Sequence, residues 1–370
     1  MFENFIAPKD LIPSDPRFGC GPSLVPVEHL EKLAKTGAHL MGTSHRKSAV
    51  KNVVKSAQEG LKKYFQIPHD YLVVMGNGGA TFLFDMIALG AVEKKVHHFT
   101  CGEFSEKWYK SSKLVPWIEA KQTSVPVGQG VLMKDWGDAD VICGTLNETS
   151  TGVILPELPT VDDKTLLCID ATSGAGQIAC DVSKTDIFFF SPQKVFASEG
   201  GLWIAIMSPK ARARVLKIAE NKARYIPDIM SWKQAIENSE KNQTYNTPSV
   251  STLFLLDEQI KLMNQMGYHA VVEAAKAKGQ LLYAWAASKP YLSAYVKEQR
   301  FQSYAVATID VDESKNVDGL LAKLEKDKVV YGIDAYRKLE RNQFRISLFH
   351  NIKHSDLEKL TKLLSAALES

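Results

Sequence analysis

The stretch DIFFFSPQK, residues 186–194, decides the fold. Ile187 and the three phenylalanines after it form an unbroken apolar run. Such a run does not alternate between water and core, so it reads as a strand covered on both faces, as in a parallel or mixed sheet. Pro192 disfavours helix in itself and in its predecessor, so the strand passes into a loop that leaves Lys194 beside the strand end. Outward from this point lie more runs of the same kind: LLCID (166–170), DVICG (140–144), VHHFT (96–100) and YLVVM (71–75) upstream, and LWIAIM (202–207) downstream. Helical patterns such as 81–92 separate several of them, which is α/β order.

The pattern changes after Gly267. A long helix over 270–288 leads to the strand YAVATIDV (304–311), a helix over 316–327, the strand FRISLF (344–349) and a last helix from His354. At the other end, Pro8, Pro13, Pro16, Pro22 and Pro26 mark residues 1–26 as an extended arm. The expected organisation is an arm (1–26), a large α/β domain (27–267) and a small C-terminal α+β domain (268–370).

Composition narrows the function. The chain has 370 residues, 45% hydrophobic and 24% charged, with 45 basic against 42 acidic side chains and a net charge of +3. A disordered tail and a collagen-like repeat are excluded, and the balance of charge gives no reason to expect nucleic acid or membrane as partners. Five cysteines with no C-x-x-C pair suggest neither a disulfide framework nor a metal centre. Cys143 and Cys168 lie in apolar runs and read as buried thiols. The first residues, MFENFIAPKD, lack the apolar core of a secretory signal, and no apolar run approaches the ~20 residues of a membrane span. The cytoplasm is the expected compartment.

Four segments carry chemistry. A lysine beside a buried strand end is partly desolvated, which favours the neutral amine that a Schiff base requires. The plain alternative for Lys194 is a surface lysine. Asp170 closes the run LLCID, and ligand sites in open α/β sheets gather beyond the carboxyl ends of strands. An aspartate there can hold a protonated heterocyclic nitrogen, as pyridoxal phosphate enzymes do, or can simply cap a turn. The segment GNGGAT (76–81) precedes a helix and offers backbone N–H groups to an anion, but it fits neither the dinucleotide nor the P-loop pattern. The segment NETSTG (147–152) follows a strand and presents polar side chains, either to a ligand or as an ordinary turn.

Together these segments resemble the fold-type I pyridoxal phosphate enzymes and, more narrowly, the phosphoserine aminotransferase family among the class V aminotransferases. The resemblance runs through FGCGPS (18–23), GTSHR (42–46), GNGGAT, NETSTG, IDATSGAG (169–176), SPQK with FASEGG (191–201), NQTYNTPS (242–249) and FRISLF, in the family's order. It implies a large domain with a mixed, mostly parallel sheet between helices, and amino transfer between O-phosphoserine with 2-oxoglutarate and phosphohydroxypyruvate with glutamate. The phosphorylated four-carbon analogue of vitamin B6 synthesis is a further implied substrate. It implies that Lys194 is the Schiff-base lysine, that Asp170 partners the pyridinium nitrogen, and that Thr149 bonds near the ring hydroxyl. Gly79, Ala80 and Gln193 match positions that hold the cofactor phosphate, while Asn246 and Thr247 match residues that reach the phosphate in the neighbouring subunit of a homodimer. His45 and Arg46 match the group near the substrate's distal anion, and Arg345 the clamp on the α-carboxylate.

Three positions depart from the family pattern. Phe104 stands where many members carry a tryptophan stacked on the ring. Ala80 stands where other branches have an arginine. The His-Arg pair before the last strand is Tyr336-Arg337 here, so Arg337, or Lys338 or Arg341, takes its role. Other readings are another class V aminotransferase, a cysteine desulfurase, for which Cys20 is the least settled thiol, and a non-catalytic binding protein of the same fold.

Overall fold

The computed structural model describes residues 2–370, apart from the side chain of Ala38. A seven-stranded sheet forms its centre, built from β1 (Leu72–Gly78), β2 (Lys95–Thr100), β3 (Glu119–Ser124), β4 (Val141–Thr145), β7 (Leu166–Asp170), β8 (Ile187–Phe190) and β9 (Gly201–Met207), in the order β1-β9-β8-β7-β4-β2-β3. Between β4 and β7 the chain makes a short ribbon, β5 (Asn147–Glu148) with β6 (Val153–Ile154). From β8 through β7, β4 and β2 to β3 all pairs are parallel, whereas β9 runs antiparallel to both β8 and β1. The sheet is therefore mixed and mostly parallel.

Both faces are covered, which explains the unbroken apolar runs. Val73, Met75, Ile142, Leu167, Ile169, Phe188, Phe190 and Ile204 point to one side. There they meet α2 (Ser48–Tyr64), through Val54 and Leu61, and α7 (Val250–Met266), through Leu256 and Ile260. The alternate residues Val74, Val141, Cys143, Leu166, Cys168, Ile187, Phe189 and Ala205 point to the other. They meet α3 (Ala80–Gly90), α4 (Glu103–Lys113), α5 (Pro209–Ala219) and α6 (Trp232–Ser239), through Leu83, Trp108, Val215 and Trp232. Cys143 and Cys168 are buried free thiols, as the apolar runs around them imply.

The remaining elements are α1 (Val27–Thr36), α8 (Tyr268–Ala287), β10 (Leu292–Ala294), β11 (Val306–Val311), α9 (Val317–Lys326), β12 (Gln343–Ser347) and α10 (His354–Glu369). Strands β10, β11 and β12 form an antiparallel sheet whose Ala307, Ile309, Phe344 and Ile346 pack with Leu282 of α8, Leu320 of α9 and Leu360 of α10. The two long helices α7 and α8 meet at Gly267, whose φ of 87° no β-branched residue adopts comfortably.

The proline-rich arm is stitched to both sheets. Phe18 donates its N–H to the Tyr331 carbonyl at 3.1 Å, and its own carbonyl accepts from Ser347 N–H at 3.0 Å. Ser23 N–H donates to the Gln193 carbonyl at 2.7 Å, beside Lys194. Phe2 and Phe18 are buried in the C-terminal core.

Strand ends define the site. Thr145 of β4 lies opposite Asp170 of β7, and Asp170 lies opposite Phe189 of β8. Three parallel strands thus end together, with Asp170 at the end of β7 and NETSTG and Lys194 on the segments that follow β4 and β8. Among the described residues no helix is long and apolar enough to cross a membrane, and no cluster of His, Cys, Asp or Glu is disposed to bind a metal ion.

Candidate active site

Lys194 lies in the turn after β8, and its Nζ donates to the carbonyl of Cys20 at 2.6 Å. Burial pulls its ammonium from the usual 10.5 down to about 8, opposed by Cys20 and Asp170 and helped by Arg345. The arm closes over the amine at Gly21. Its φ of 137° is open to glycine, and a Cβ there would overlap the lysine side chain from Cδ to Nζ. Gly21→Ala is therefore expected to displace Lys194 and to lower the stability of the fold by about 1–3 kcal/mol, the cost typical of overpacking. Chemical denaturation of the variant beside the parent checks this.

Asp170 is buried at the end of β7. Its Oδ1 accepts from Thr172 N–H at 2.9 Å and from the Thr172 hydroxyl, and Oδ2 takes no bond among the described residues. Burial raises its pKa from 3.8 to about 6, against the lowering effect of Thr172 and, more weakly, Lys194. A buried carboxylate with one open oxygen is a strained arrangement until a cationic N–H arrives.

The anion cradle is the first turn of α3. Gly79 is its N-cap, no side chain caps it, and a Cβ on Gly79 would meet only Ser191 Oγ, at 3.9 Å. The first N–H groups at Ala80 remain open to an anion favoured by the helix dipole. Gln193 flanks the lysine, and its buried Oε1 has no partner. A lysine, a one-sided aspartate and an uncapped helix start form a donor set that fits pyridoxal phosphate.

The NETSTG turn is tied into a network. The Thr149 hydroxyl and the Asn147 amide each donate to Ser173 Oγ at 2.7 Å, and the Ser303 hydroxyl donates to Asn147 Oδ1 at 2.5 Å. Glu148, to which the sequence reading attached no role, is fully buried and caps α4 from outside. Its carboxylate accepts from Phe104 N–H at 3.2 Å, Ser105 N–H at 2.9 Å, Ser105 Oγ at 2.9 Å and Ser150 Oγ at 2.7 Å. The close approach requires Gly102, where a Cβ would overlap the Glu148 side chain. Glu148 thus fixes the helix start that presents Phe104. Only its place inside a polar turn hinted at a capping role.

A cleft of about 660 Å³ opens in front of Phe104, lined by Glu103, Lys107, Lys110, Tyr336, Arg337, Lys338 and Arg345 among others. Arg345 of β12 donates from Nη1 to the Thr149 carbonyl at 3.3 Å and from Nε to the Asp334 carbonyl at 3.4 Å. The three basic residues after Tyr336 separate clearly. Lys338 pairs with Glu103 across the cleft. Arg341 holds Asp310 through two bonds, at 2.7 and 3.1 Å, and stacks on Tyr295, outside the cleft lining. Arg337 lines the cleft without an ion pair among the described residues.

His45 and Arg46 are not in this cleft lining. His45 Nδ1 lies 3.2 Å from Thr247 Oγ1, and the Thr247 carbonyl accepts from Asn77 Nδ2 at 2.7 Å. His45 Nε2 is buried without a partner, and burial next to Arg46 pushes its pKa down. Arg46, Asn246 and Thr247 are exposed. One chain therefore does not bring His45, Arg46 and Arg345 together.

Residues 18–360 match the family model for class-V aminotransferases. The chain is 43% identical over 365 residues to the phosphoserine aminotransferase of Corynebacterium glutamicum (strain R), covering 98% of this chain and 96% of that protein. It is 41% identical to that of Nocardioides sp. (strain ATCC BAA-499 / JS614), covering 96% of each. The chain belongs to the class-V aminotransferases, in the phosphoserine aminotransferase family. A crystal structure of the family member from Cytophaga hutchinsonii superposes with a TM-score of 0.87 at 25% identity, covering 95% of this chain and 98% of that one. An alanine–glyoxylate aminotransferase from Nostoc sp. reaches a TM-score of 0.82 at 17% identity, so the fold by itself does not choose the substrate. Against the desulfurase reading, Cys20 is buried, its Sγ lies 3.4 Å from the Arg345 carbonyl, and burial pushes its thiol up, the opposite of a mobile nucleophile.

Proposed function

We propose that this chain uses pyridoxal phosphate to exchange an amino group between O-phospho-L-serine with 2-oxoglutarate and phosphohydroxypyruvate with glutamate, as a cytoplasmic homodimer. The observation that carries the reading is that one cleft, in front of Phe104, is lined by both Arg345 and the unpaired Arg337, which suits a substrate with two anionic ends. The identity of 41–43% to proteins named phosphoserine aminotransferase supports the substrate.

In this reading Asp170 would accept from the ring N–H, Thr149 would bond beside the ring hydroxyl, and Gly79, Ala80 and Gln193 would hold the phosphate. Phe104 would cover the ring and exclude water. Bound pyridoxal phosphate supplies the electron sink that delocalises negative charge from the substrate Cα. Arg345 holds the α-carboxylate bidentately, which orients the Cα–H toward Lys194. Lys194 Nζ takes the Cα proton and later returns it. Arg337, with Lys107 beside it on α4, faces the distal phosphate or carboxylate.

His45 and Thr247 pack together, so we assign His45, Arg46, Asn246 and Thr247 jointly to the partner's site. The exposed Val27, Leu30 and Met41 precede this group in the chain and supply an apolar contact surface. Mixing Lys194→Ala chains with Arg46→Ala chains is expected to restore activity that neither has alone, because the mixed dimer holds one intact site. Absence of recovery despite demonstrated subunit exchange would refute the shared site. We also take Gly267 as the border of the small domain, and the five free thiols fit a reducing compartment.

The activity is tested by a panel of phosphoserine, phosphorylated four-carbon analogue, serine, alanine and cysteine, each with 2-oxoglutarate. Preference for either phosphorylated donor is expected. Preference for serine or alanine would overturn the substrate assignment and leave the fold untouched.

A further inference from the structure

Tyr336 stands where the family pattern has the histidine of its His-Arg pair, and its position gives it a different use. Its ring centroid lies 5.9 Å from that of Phe104, tilted by 60°. The guanidinium carbon of Arg345 lies over the same ring, 5.4 Å from its centroid. Tyr336 is thus wedged between the ring that covers the proposed cofactor and the arginine that meets the substrate. The segment carrying it is held at both ends. The Ile333 carbonyl accepts from Arg345 N–H at 2.9 Å, and Lys338 pairs with Glu103, the residue before Phe104.

Arg345 needs such a neighbour. Its two hydrogen bonds, to the carbonyls of Thr149 and Asp334, are long at 3.3 and 3.4 Å, near the limit of useful geometry. No carboxylate pairs with it among the described residues, which leaves the guanidinium free for substrate but loosely oriented. A guanidinium is planar and weakly hydrated, and an aromatic face restrains it without consuming the donors that a carboxylate requires. A carboxylate at this place would neutralise the arginine.

We propose that Tyr336 is a positioning residue for substrate recognition, whose ring, wedged between Phe104 and Arg345, sets the guanidinium plane for the α-carboxylate of every substrate. The inference rests on the reading of Arg345 as the carboxylate clamp. Because phosphoserine and glutamate both bring an α-carboxylate, the effect of losing the ring is common to both. The role belongs to the ring face, so a phenylalanine preserves it.

The test compares Tyr336→Ala, Tyr336→Leu, Tyr336→Phe and Arg345→Ala as cofactor-loaded enzymes. For the alanine and leucine variants KM is expected to rise by about three- to thirtyfold for phosphoserine and glutamate alike, the scale of a lost cation–π contact, with kcat nearly unchanged. Calorimetric affinity for maleate, a non-reacting dicarboxylate, is expected to fall by the same factor. The visible absorption and the melting temperature stay at the parent values, and Tyr336→Phe behaves as the parent. A rise in KM for phosphoserine alone would overturn the proposal, since the residue would then serve the phosphate. Loss of the visible band, a phenylalanine variant as impaired as alanine, or no change at all would overturn it as well. Arg345→Ala separates the two levels. If it leaves both KM values unchanged, the clamp reading fails; if it raises both while Tyr336→Ala and Tyr336→Leu change neither, only the present inference fails.

Discussion

Replacing Lys194 with alanine is expected to lower kcat by about 10²–10⁴-fold, the usual contribution of a positioned general acid and base, and to abolish the visible band of lysine-bound cofactor. The first effect follows from the placement of Nζ at the strand end, where it is buried and donates to the Cys20 carbonyl at 2.6 Å. The second follows from its burial. Because the ammonium is held near 8 rather than 10.5, the neutral nucleophile is present in useful amounts close to neutral pH. The rate at which the cofactor-free protein captures pyridoxal phosphate is therefore expected to climb with pH through about 8 and then level off. Stopped-flow absorbance checks the profile. A rate that keeps rising toward 10.5 would mean that Lys194 is solvated like a surface lysine. Small primary amines added to Lys194→Ala should restore part of the turnover, a rescue that a misfolded protein would not show.

Asp170→Asn separates stability from activity. The folded pKa of Asp170 in the cofactor-free chain is raised from 3.8 to about 6. The folded state therefore binds this proton more tightly than the unfolded state does. The stabilising contribution is full below about pH 4 and is lost as pH rises through about 6. At neutral pH the buried, one-sided carboxylate costs on the order of 1–3 kcal/mol of stability, from the 1.36 kcal/mol per unit of pKa shift. An asparagine keeps the Thr172 bonds through its own oxygen and carries no charge. The cofactor-free variant is expected to melt higher than the parent above pH 6, with the gap closing toward pH 4. Turnover should move the other way, falling by about 10²–10³-fold as for removal of one preorganised electrostatic partner. Thermal melts across pH together with kcat measure both. A variant that is less stable at neutral pH and fully active would show that Asp170 is only a turn residue.

Particular residues show how much of this was legible beforehand. LLCID and DIFFF read correctly because burial on both faces leaves an apolar signature that no turn imitates. That signature carries no direction, so the antiparallel course of β9 beside β1 and β8 was invisible. Strand β3, with the sequence EAKQTS, was missed because it is an edge strand whose side chains are mostly exposed and polar. FRISLF ends as a strand at Ser347, and YAVATIDV begins only at Val306, where Ser303 Oγ accepts from the N–H groups of Ala305 and Val306. At the site, the lysine, the aspartate and the glycine segment stood out because each follows or precedes a strand end. The cap supplied by Glu148 did not, since it spans 43 residues from Ser105 and depends on a glycine at position 102. The choice among Arg337, Lys338 and Arg341 was likewise closed to sequence reading. It turns on Glu103 and Asp310, acidic partners that the fold brings from far along the chain.

The most direct test of the proposed chemistry is a single half-reaction. The cofactor-loaded protein is mixed with phosphoserine in the absence of any oxo acid, and the visible absorption and the released product are followed together. Loss of the visible band with one equivalent of phosphohydroxypyruvate per site, and no response to serine at the same concentration, is the expected result. A band that persists with phosphoserine but is discharged by serine or alanine would contradict it.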